Sequence, residues 1–493
     1  MNLSPITHLM LRPISCTWLF LSLTVFPAWT MPSLLAQTYD LVILNGRVMD
    51  PESGLDAVRH LGVTGSQVKA ISPTPLTGQT TIDAKGLVVA PGFIDLHQHA
   101  QDQESYRFKV RDGVTTALEL EVGTADIDRW YAEREGKLPI NFGASIGHIQ
   151  VRMEVLGDPP SFLPSADSRA ATQAATEETL EALKAGIERG LKRGAPAVGF
   201  GLQYTPAATR WEVLEMFRIA SRYRAPCHVH IRYKGEKEPG SSIEALEELI
   251  AASVITGAPL HIVHINSSGG SVTQKLLQII SEAQSQGVDV TVECYPYTAG
   301  MTEITSAIFD PGWRQKMGMD YRDLQWGDTG ERLTAETFAK YRRIGGLVIA
   351  HSNPESIVRG AVVHPLTIIA SDGLKGHPRN AGTYARILGR YVRETKGLTL
   401  MEALRKITLM PAQRLEERVS MMKGKGRIRV GADADLTIFD PDRVIDKATF
   451  ADAAQYSEGI EFVLVNGIVV VENGELRQDV RPGRAVRAPL SSP

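Results

Sequence analysis

Cysteine is almost absent: Cys16, Cys227 and Cys294 are the only three in 493 residues. Three thiols make no disulfide framework. Cys227 and Cys294 sit in apolar strand-like runs, where buried, inert thiols are expected. Charge of one sign is lacking as well. A formal net charge of −3 excludes the basic surface that nucleic-acid binding needs and leaves a small molecule as the expected partner. The apolar run near the N-terminus, Trp18 to Val25, is too short for a transmembrane helix. Arg12 precedes it and Ser33-Leu34-Leu35-Ala36 follows, which is the layout of a secretory signal peptide over 1–36. Such a leader implies an exported protein, periplasmic or secreted, with no stable membrane partner after cleavage; an uncleaved leader would anchor it, and a buried N-terminal helix is the other alternative.

What the chain does contain is ordinary globular material. Hydrophobic residues make up 43% and charged residues 22%, in a length that suits a barrel plus a smaller module. From Tyr39 the sequence runs in short β-rich stretches broken by Asn-Gly, Gly-Ser and Pro turns. ADLTIFDP and FVLVNGIVVVENGE repeat that texture near the far end, with Asn45-Gly46 and Asn466-Gly467 as turn signals. The two ends are therefore expected to build one small β-sandwich, from 37–89 and 416–493. Between them, over 90–415, strand and helix patterns alternate. Candidate strands are FIDLHQH, TTALELE, NFGASIGH, AVGFGL, PCHVHIR, LHIVHIN, VTVECYPY, GLVIAHS and LTIIASD, with amphipathic runs such as Glu177–Leu191, Ile243–Thr256 and Val272–Gln286 between several of them. Repeated βα units predict an α/β fold, a (β/α)8 TIM-like barrel, whose chemistry lies at the C-terminal strand ends.

Polar residues fall at those ends. Alternation puts residues i and i+2 of a strand on one face, so His97 and His99 in PGFIDLHQHA aim two imidazoles at one point. Glu119 and Glu121 share a face of TTALELE; Glu121 is nearer the strand end, and a carboxylate there can bridge two metal ions. His228 and His230 repeat the pattern in PCHVHIR. His264 ends LHIVHIN, with His261 expected on the other face, and Asp372 ends LTIIASDG. Singly, each has a plain structural explanation, a satisfied core histidine or an Asp-Gly turn. Together they compose a one- or two-zinc hydrolytic site.

The same segments resemble the amidohydrolase superfamily, specifically its D-aminoacylase (N-acyl-D-amino-acid deacylase) branch. PGFIDLHQHA resembles the first metal motif. NFGASIGHIQVR, AVGFGLQYTP, VTVECYPYTAG and HPLTIIASDGLKGHPRNAGTYARILGRYVRE resemble branch segments in the same order, and GRIRVGADADLTIFDP resembles the return to the sandwich. The resemblance implies that His97, His99, His230 and His264 ligate metal, His230 ahead of His228, and that Asp372 is both ligand and catalytic base. It makes Arg379 a clamp for a substrate carboxylate. It also suggests His148, or a tyrosine of the Tyr295-Pro296-Tyr297 segment, as an aid to the oxyanion.

Two departures accompany it. Branch members carry a metal-bridging cysteine after the second strand; GVTTALELEVG has none, and Glu121 is the nearest substitute. The strand-four lysine of hydantoinases and dihydroorotases has no counterpart in AVGFGLQYTP. The expectation is a zinc-dependent enzyme, with one or two ions, that deacylates N-acyl-D-amino acids. The alternatives are a cyclic-amide hydrolase of dihydroorotase or hydantoinase type, a D- or isoaspartyl dipeptidase, and an inactive secreted binding protein. The stretch from Gly300 to Gly345 is a candidate lid.

Overall fold

Alternating and β-branched runs from both chain ends pair into one nine-stranded mixed sheet. The structure is a computed structural model and describes residues 38–490; the leader expected over 1–36 lies outside the described residues. Thr38–Asp50, Leu55–Thr64, Gln67–Ser72, Thr77–Asp83 and Val88–Pro91 supply the N-terminal strands. Leu436–Phe439, Ile460–Val465, Ile468–Glu472 and Glu475–Leu476 supply the rest, and Val88–Pro91 pairs antiparallel with Leu436–Phe439 to join the halves. Leu41, Ile43, Val63 and Val89 from one end pack with Leu436, Ile438 and Leu464 from the other.

The two Asn-Gly signals behave differently. Asn466 and Gly467, at φ 51° and 80°, form the two-residue hairpin turn expected of that pair. Asn45-Gly46 makes no turn: it lies inside the continuous strand Thr38–Asp50, where the register shifts between Ile43 and Gly46. The pair is a bulge. A Cβ on Gly46 would come 2.5 Å from Val89 Cγ2, so glycine is needed there for the close approach of the neighbouring strand.

Eight parallel strands form the central sheet in sequential order. The first to the eighth are Phe93–Asp95, Val114–Thr124, Asn141–Gly147, Val198–Gly201, Cys227–His230, Leu260–Ile262, Val290–Cys294 and Thr367–Ile369. A bridge between Gln98 and Gly373 brings the first and eighth strands together just past their ends, which gives the expected TIM-like barrel. The amphipathic runs are helices: Glu177–Lys192, Ser242–Thr256 and Thr273–Ser285. Thr176 and Ser241 cap the first two through side-chain oxygens. Leu183, Ile187 and Leu191 of the first are fully buried against the barrel, worth roughly 2 kcal/mol each.

One candidate strand belongs elsewhere. Leu347–Ala350, from GLVIAHS, pairs antiparallel with Gly300–Glu303 and Leu324–Trp326 in a separate three-stranded sheet. After the seventh strand the chain leaves the barrel for an insertion with its own core, including Phe309, Trp313, Trp326 and Tyr341. The sheet of the chain ends, by contrast, is continuous with the barrel: Val88, Phe439, Val463 and Val471 share one core with Phe93, Val114 and Phe142. The expected division at 89/90 thus falls within the strand Val88–Pro91. Beyond the last strand the tail returns along the barrel, where Val486 N donates to Phe142 O (2.7 Å) and Tyr131 Oη to Val486 O (2.6 Å). Among the described residues no helix is long and apolar enough to cross a membrane.

Candidate active site

Asp95 anchors the site from below. Its carboxylate accepts from His97 N (3.2 Å), Ser371 N (3.0 Å) and Ser371 Oγ (2.6 Å), and pairs with Lys109 Nζ at 2.9 Å, all buried. The ends of the first and eighth strands are thereby tied together, which brings His97 and Asp372 side by side. His99 N and Ala100 N both donate to Gly373 O (3.0 and 2.9 Å) and complete the tie. Asp372 takes the left-handed region at φ 50°, and His264 does so at φ 32°. Non-glycine residues held there cost energy that the surrounding structure must supply.

His97, His99, Glu121, His230, His264 and Asp372 converge. They form two groups, His97–His99–Glu121–Asp372 and Glu121–His230–His264, whose candidate ligand atoms lie within 4.8 Å of one another. Glu121 belongs to both. Its Oε2 stands 2.6 Å from His97 Nε2, 3.5 Å from His99 Nε2 and 3.6 Å from His264 Nε2, while Oε1 is 3.0 Å from His230 Nδ1. Asp372 Oδ1 lies 3.3 Å from His99 Nε2 and 3.6 Å from His97 Nε2.

In each histidine the nitrogen facing away from Glu121 is held by a neighbour. His97 Nδ1 meets Glu293 Oε1 (2.5 Å), His99 Nδ1 meets Glu119 Oε2 (2.6 Å), His230 Nε2 meets Gln203 Oε1 (2.9 Å) and His264 Nδ1 meets Ser268 Oγ (3.0 Å). Carboxylate and amide oxygens only accept, so those nitrogens of His97, His99 and His230 carry a proton, and a cation held at the centre would take the opposite ones. His97 Nε2 and His99 Nε2 then face each other at 2.9 Å, an arrangement that calls for a cation between them. The donor set fits zinc: imidazole nitrogens and carboxylate oxygens, with one carboxylate placed to serve two ions.

The charges agree. Burial pulls the His97 imidazole down, but the carboxylates of Glu293, Asp372 and Glu121 outweigh it and hold it at about 10. His99 is likewise raised against burial, chiefly by Glu119. Burial pushes Glu121 up, yet His97 and the hydrogen bonds of His230 and His264 bring it well below the usual range. This surplus of carboxylates attracts positive charge, which a divalent ion provides. Asp372 also lies well below the ordinary range; burial opposes this, and Arg379 is the largest of the groups that cause it.

Arg379 is fully buried, with Nη1 2.9 Å from Asp372 Oδ2 and its guanidinium 4.7 Å from the Tyr295 ring centroid. The guanidinium therefore forms an ion pair with Asp372, a group of the protein itself, while its buried Nε and Nη1 make no hydrogen bond. Tyr295 lies beside the cluster, its ring 6.5 Å from that of His264 and its hydroxyl accepting from Asn353 Nδ2 (3.0 Å). Two expected substrate contacts lie elsewhere. His148 is wholly buried, with Nε2 2.7 Å from Glu212 Oε1 and its ring stacked on Phe200: the helix it begins, His148–Leu156, turns the ring into the wall. Tyr297 points its hydroxyl at Pro378 O and Asp446 Oδ2 (3.4 and 3.5 Å), because the strand has ended and Arg386 packs over its ring.

Several supporting residues carried little sequence signal. Glu293 links His97 to His261, whose Nε2 lies 3.0 Å from Glu293 Oε2 and whose Nδ1 lies 2.7 Å from Thr291 Oγ1. His261 thus faces the interior, contrary to expectation: the strand stops at Ile262 and the left-handed turn at His264 breaks the alternation. His228 packs against His261, ring centroids 4.3 Å apart and tilted by 35°. The cavity over the cluster is lined by His99, Glu121, His230, His264 and Asp372, by Gln203, Tyr204 and Lys234, and by an apolar set that includes Phe162, Met301 and Phe309. Met301, Ile308, Phe309 and Met317 come from the insertion expected as a lid.

Residues 153–471 match the model of the amidohydrolase family. An N-acyl-D-glutamate deacylase of Alcaligenes xylosoxydans xylosoxydans is 30% identical over 509 residues, spanning 92% of this chain and 97% of that protein. A D-aminoacylase of the same organism is 28% identical, spanning 88% and 95%. Among solved structures, an N-acyl-D-glutamate deacylase from Bordetella bronchiseptica, complexed with zinc and a phosphonate mimic of its tetrahedral intermediate, superposes with a TM-score of 0.78 at 26% identity, covering 92% of this chain and 100% of that one.

Proposed function

This chain belongs to the amidohydrolase family and is a hydrolase of carbon–nitrogen bonds, and from that premise we propose that it deacylates N-acyl-D-amino acids, releasing a carboxylate and a D-amino acid, with one or two zinc ions held by His97, His99, Glu121, His230, His264 and Asp372. The observation that carries this reading is Glu121, which stands in both ligand groups at the centre of the cluster. Zinc bound there would supply Lewis acidity to the scissile carbonyl and to the attacking water.

The chain's own residues do the rest. Asp372 Oδ1 faces the histidine pair while Oδ2 is pinned by Arg379, so one oxygen stays aimed at the site where water must be deprotonated. Asp372 takes that proton and later delivers it to the departing amine. Glu293, Glu119, Gln203 and Ser268 fix the four imidazoles. Phe162, Leu163, Met301, Ile308 and Phe309 line the cavity and limit bulk water. The fourth strand reads Val198-Gly199-Phe200-Gly201, with no lysine on it, which favours a linear amide over the cyclic amides of lysine-carboxylating relatives.

The test is hydrolysis by zinc-loaded protein of paired N-acetyl D- and L-amino acids, beside hydantoin, dihydroorotate and D- and isoaspartyl dipeptides. Release of D-amino acids only, abolished by a chelator and restored by zinc, is the expected result; turnover confined to the cyclic amides or dipeptides would replace the reading. The leader motif supports work outside the cytoplasm, and mass spectrometry of the exported protein should find an N-terminus at Gln37.

A further inference from the structure

We propose that the Lys234 ammonium anchors the substrate's carboxylate, and that the cavity between it and Glu121 takes an N-acyl amino acid whose other substituents are apolar. The inference rests on the deacylase reading above and adds to it the group that receives the substrate's charge.

Among the described residues Lys234 is the only lysine or arginine lining the cavity that holds His99, Glu121, His230, His264 and Asp372. It follows the fifth strand, four residues after His230, so the backbone that presents a ligand also presents the cation. Lys234 is half-buried, and its Nζ has a neutral partner, Ser352 Oγ at 3.0 Å. No carboxylate among the described residues pairs with it, and burial alone pushes it down to about 8, which leaves it protonated at neutral pH. A desolvated ammonium without a counter-ion is costly unless a ligand brings the missing charge. The other cation near the cluster, Arg379, is fully buried on Asp372.

The remaining wall decides the rest of the substrate. Phe162, Leu163, Met301, Ile308, Phe309 and Leu374 line it, and among the described residues no second lysine or arginine lines it for a side-chain carboxylate. An adjoining outer groove shares Lys234 and adds Arg210, Lys237 and Lys316 against Glu244 and Asp310, a net positive approach that draws anions toward Lys234. The predicted substrate is therefore a monoanion: carboxylate on Lys234, amide over Glu121, apolar side chain against the phenylalanines and methionines.

The experiment compares wild type, Lys234→Met and Lys234→Arg, each zinc-loaded, on N-acetyl-D-leucine, its carboxamide and N-acetyl-D-glutamate. The ratio of kcat/KM for the carboxylate over the carboxamide should fall about 10- to 100-fold in Lys234→Met, mainly through KM, because a charged hydrogen bond is lost. Lys234→Arg should keep most of the preference, which a merely structural lysine would not require, and the wild type should favour leucine over glutamate. A ratio within about threefold of wild type in Lys234→Met, or a preference for glutamate, would overturn the inference. If the wild type hydrolyses no N-acetyl amino acid, the deacylase reading fails by itself. Calorimetry with the N-acetyl-D-leucine isostere whose amide N–H is replaced by CH2 then decides Lys234: binding weakened at least about tenfold by Lys234→Met supports the anchor, and equal or absent binding rejects it.

Discussion

Arg379→Met should move the acid limb of the rate profile upward without changing which substrates are accepted. In the wild type Arg379 Nη1 lies 2.9 Å from Asp372 Oδ2, and Asp372 is held well below its ordinary value of 3.8, with Arg379 the largest contributor against the opposing effect of burial. Unit charges about 4 Å apart at an effective dielectric of about 20 interact by about 4 kcal/mol, which as a ceiling is about 3 pKa units. The histidines around Asp372 retain part of the stabilisation, so a rise of about 1–3 units is expected. The sign follows from the base's role. Asp372 acts ionised, Arg379 favours the ionised form, and its removal requires a higher pH for the same fraction of base. The assay is kcat/KM for N-acetyl-D-leucine between about pH 2 and 8 at saturating zinc, for wild type, Arg379→Met and Arg379→Lys, with the carboxamide as second substrate. A limb that shifts equally for both substrates, partly restored by lysine, is the expected outcome. An unmoved limb together with a KM that rises for the carboxylate alone would refute the reasoning, because it would make Arg379 the clamp on substrate and leave Asp372 independent of it.

Glu121→Ala should remove at least one metal per chain by elemental analysis, since Glu121 is common to both ligand groups; an unchanged count would mean that Glu121 bridges nothing. Glu293→Gln keeps an acceptor for His97 Nδ1 but removes the charge, and should weaken zinc binding about 10- to 100-fold in competition with a chelator, with the amide NH2 turned toward His261 Nε2. Lys109→Met leaves the Asp95 carboxylate buried without its cation and should cost about 3–5 kcal/mol of stability by denaturant titration; a loss below about 1 kcal/mol would show that Ser371 and the backbone suffice.

The candidate ligands at strand ends were legible because their geometry is a consequence of periodicity. His97 and His99 at i and i+2, and His230 two residues past His228, must share a face, and alternation identifies the face without any knowledge of the fold. Periodicity cannot state depth. Glu119 and Glu121 are equivalent by alternation; nearness to the strand end singles out Glu121, and the barrel adds that Glu119 stops at His99 Nδ1. It also fails where the strand stops, as at Ile262, beyond which the left-handed His264 swings its ring back to the cluster. Leu347–Ala350 illustrates a third limit: a four-residue apolar run reads the same in a parallel barrel as in an antiparallel insertion, and the partner strand decides.

The positioning groups follow a different logic. Glu293 sits in VTVECYPY as a single acidic residue in an apolar strand; the sequence does not say that its burial is compensated by two histidines from the first and sixth strands. Lys234, Gln203 and Ser352 lie on loops, where no period constrains a side chain, and they meet the ligands only because the barrel gathers its C-terminal ends on one side. Ligand identity is thus written locally, within two or three residues of each strand end, whereas tautomer, pKa and substrate charge are set by distant partners, as in His97 with Glu293, 196 residues apart. A sequence that keeps the six ligands but changes Lys234 or Glu293 would still read as the same metal centre. On the argument above, it would differ in the substrate it accepts or in the zinc it retains.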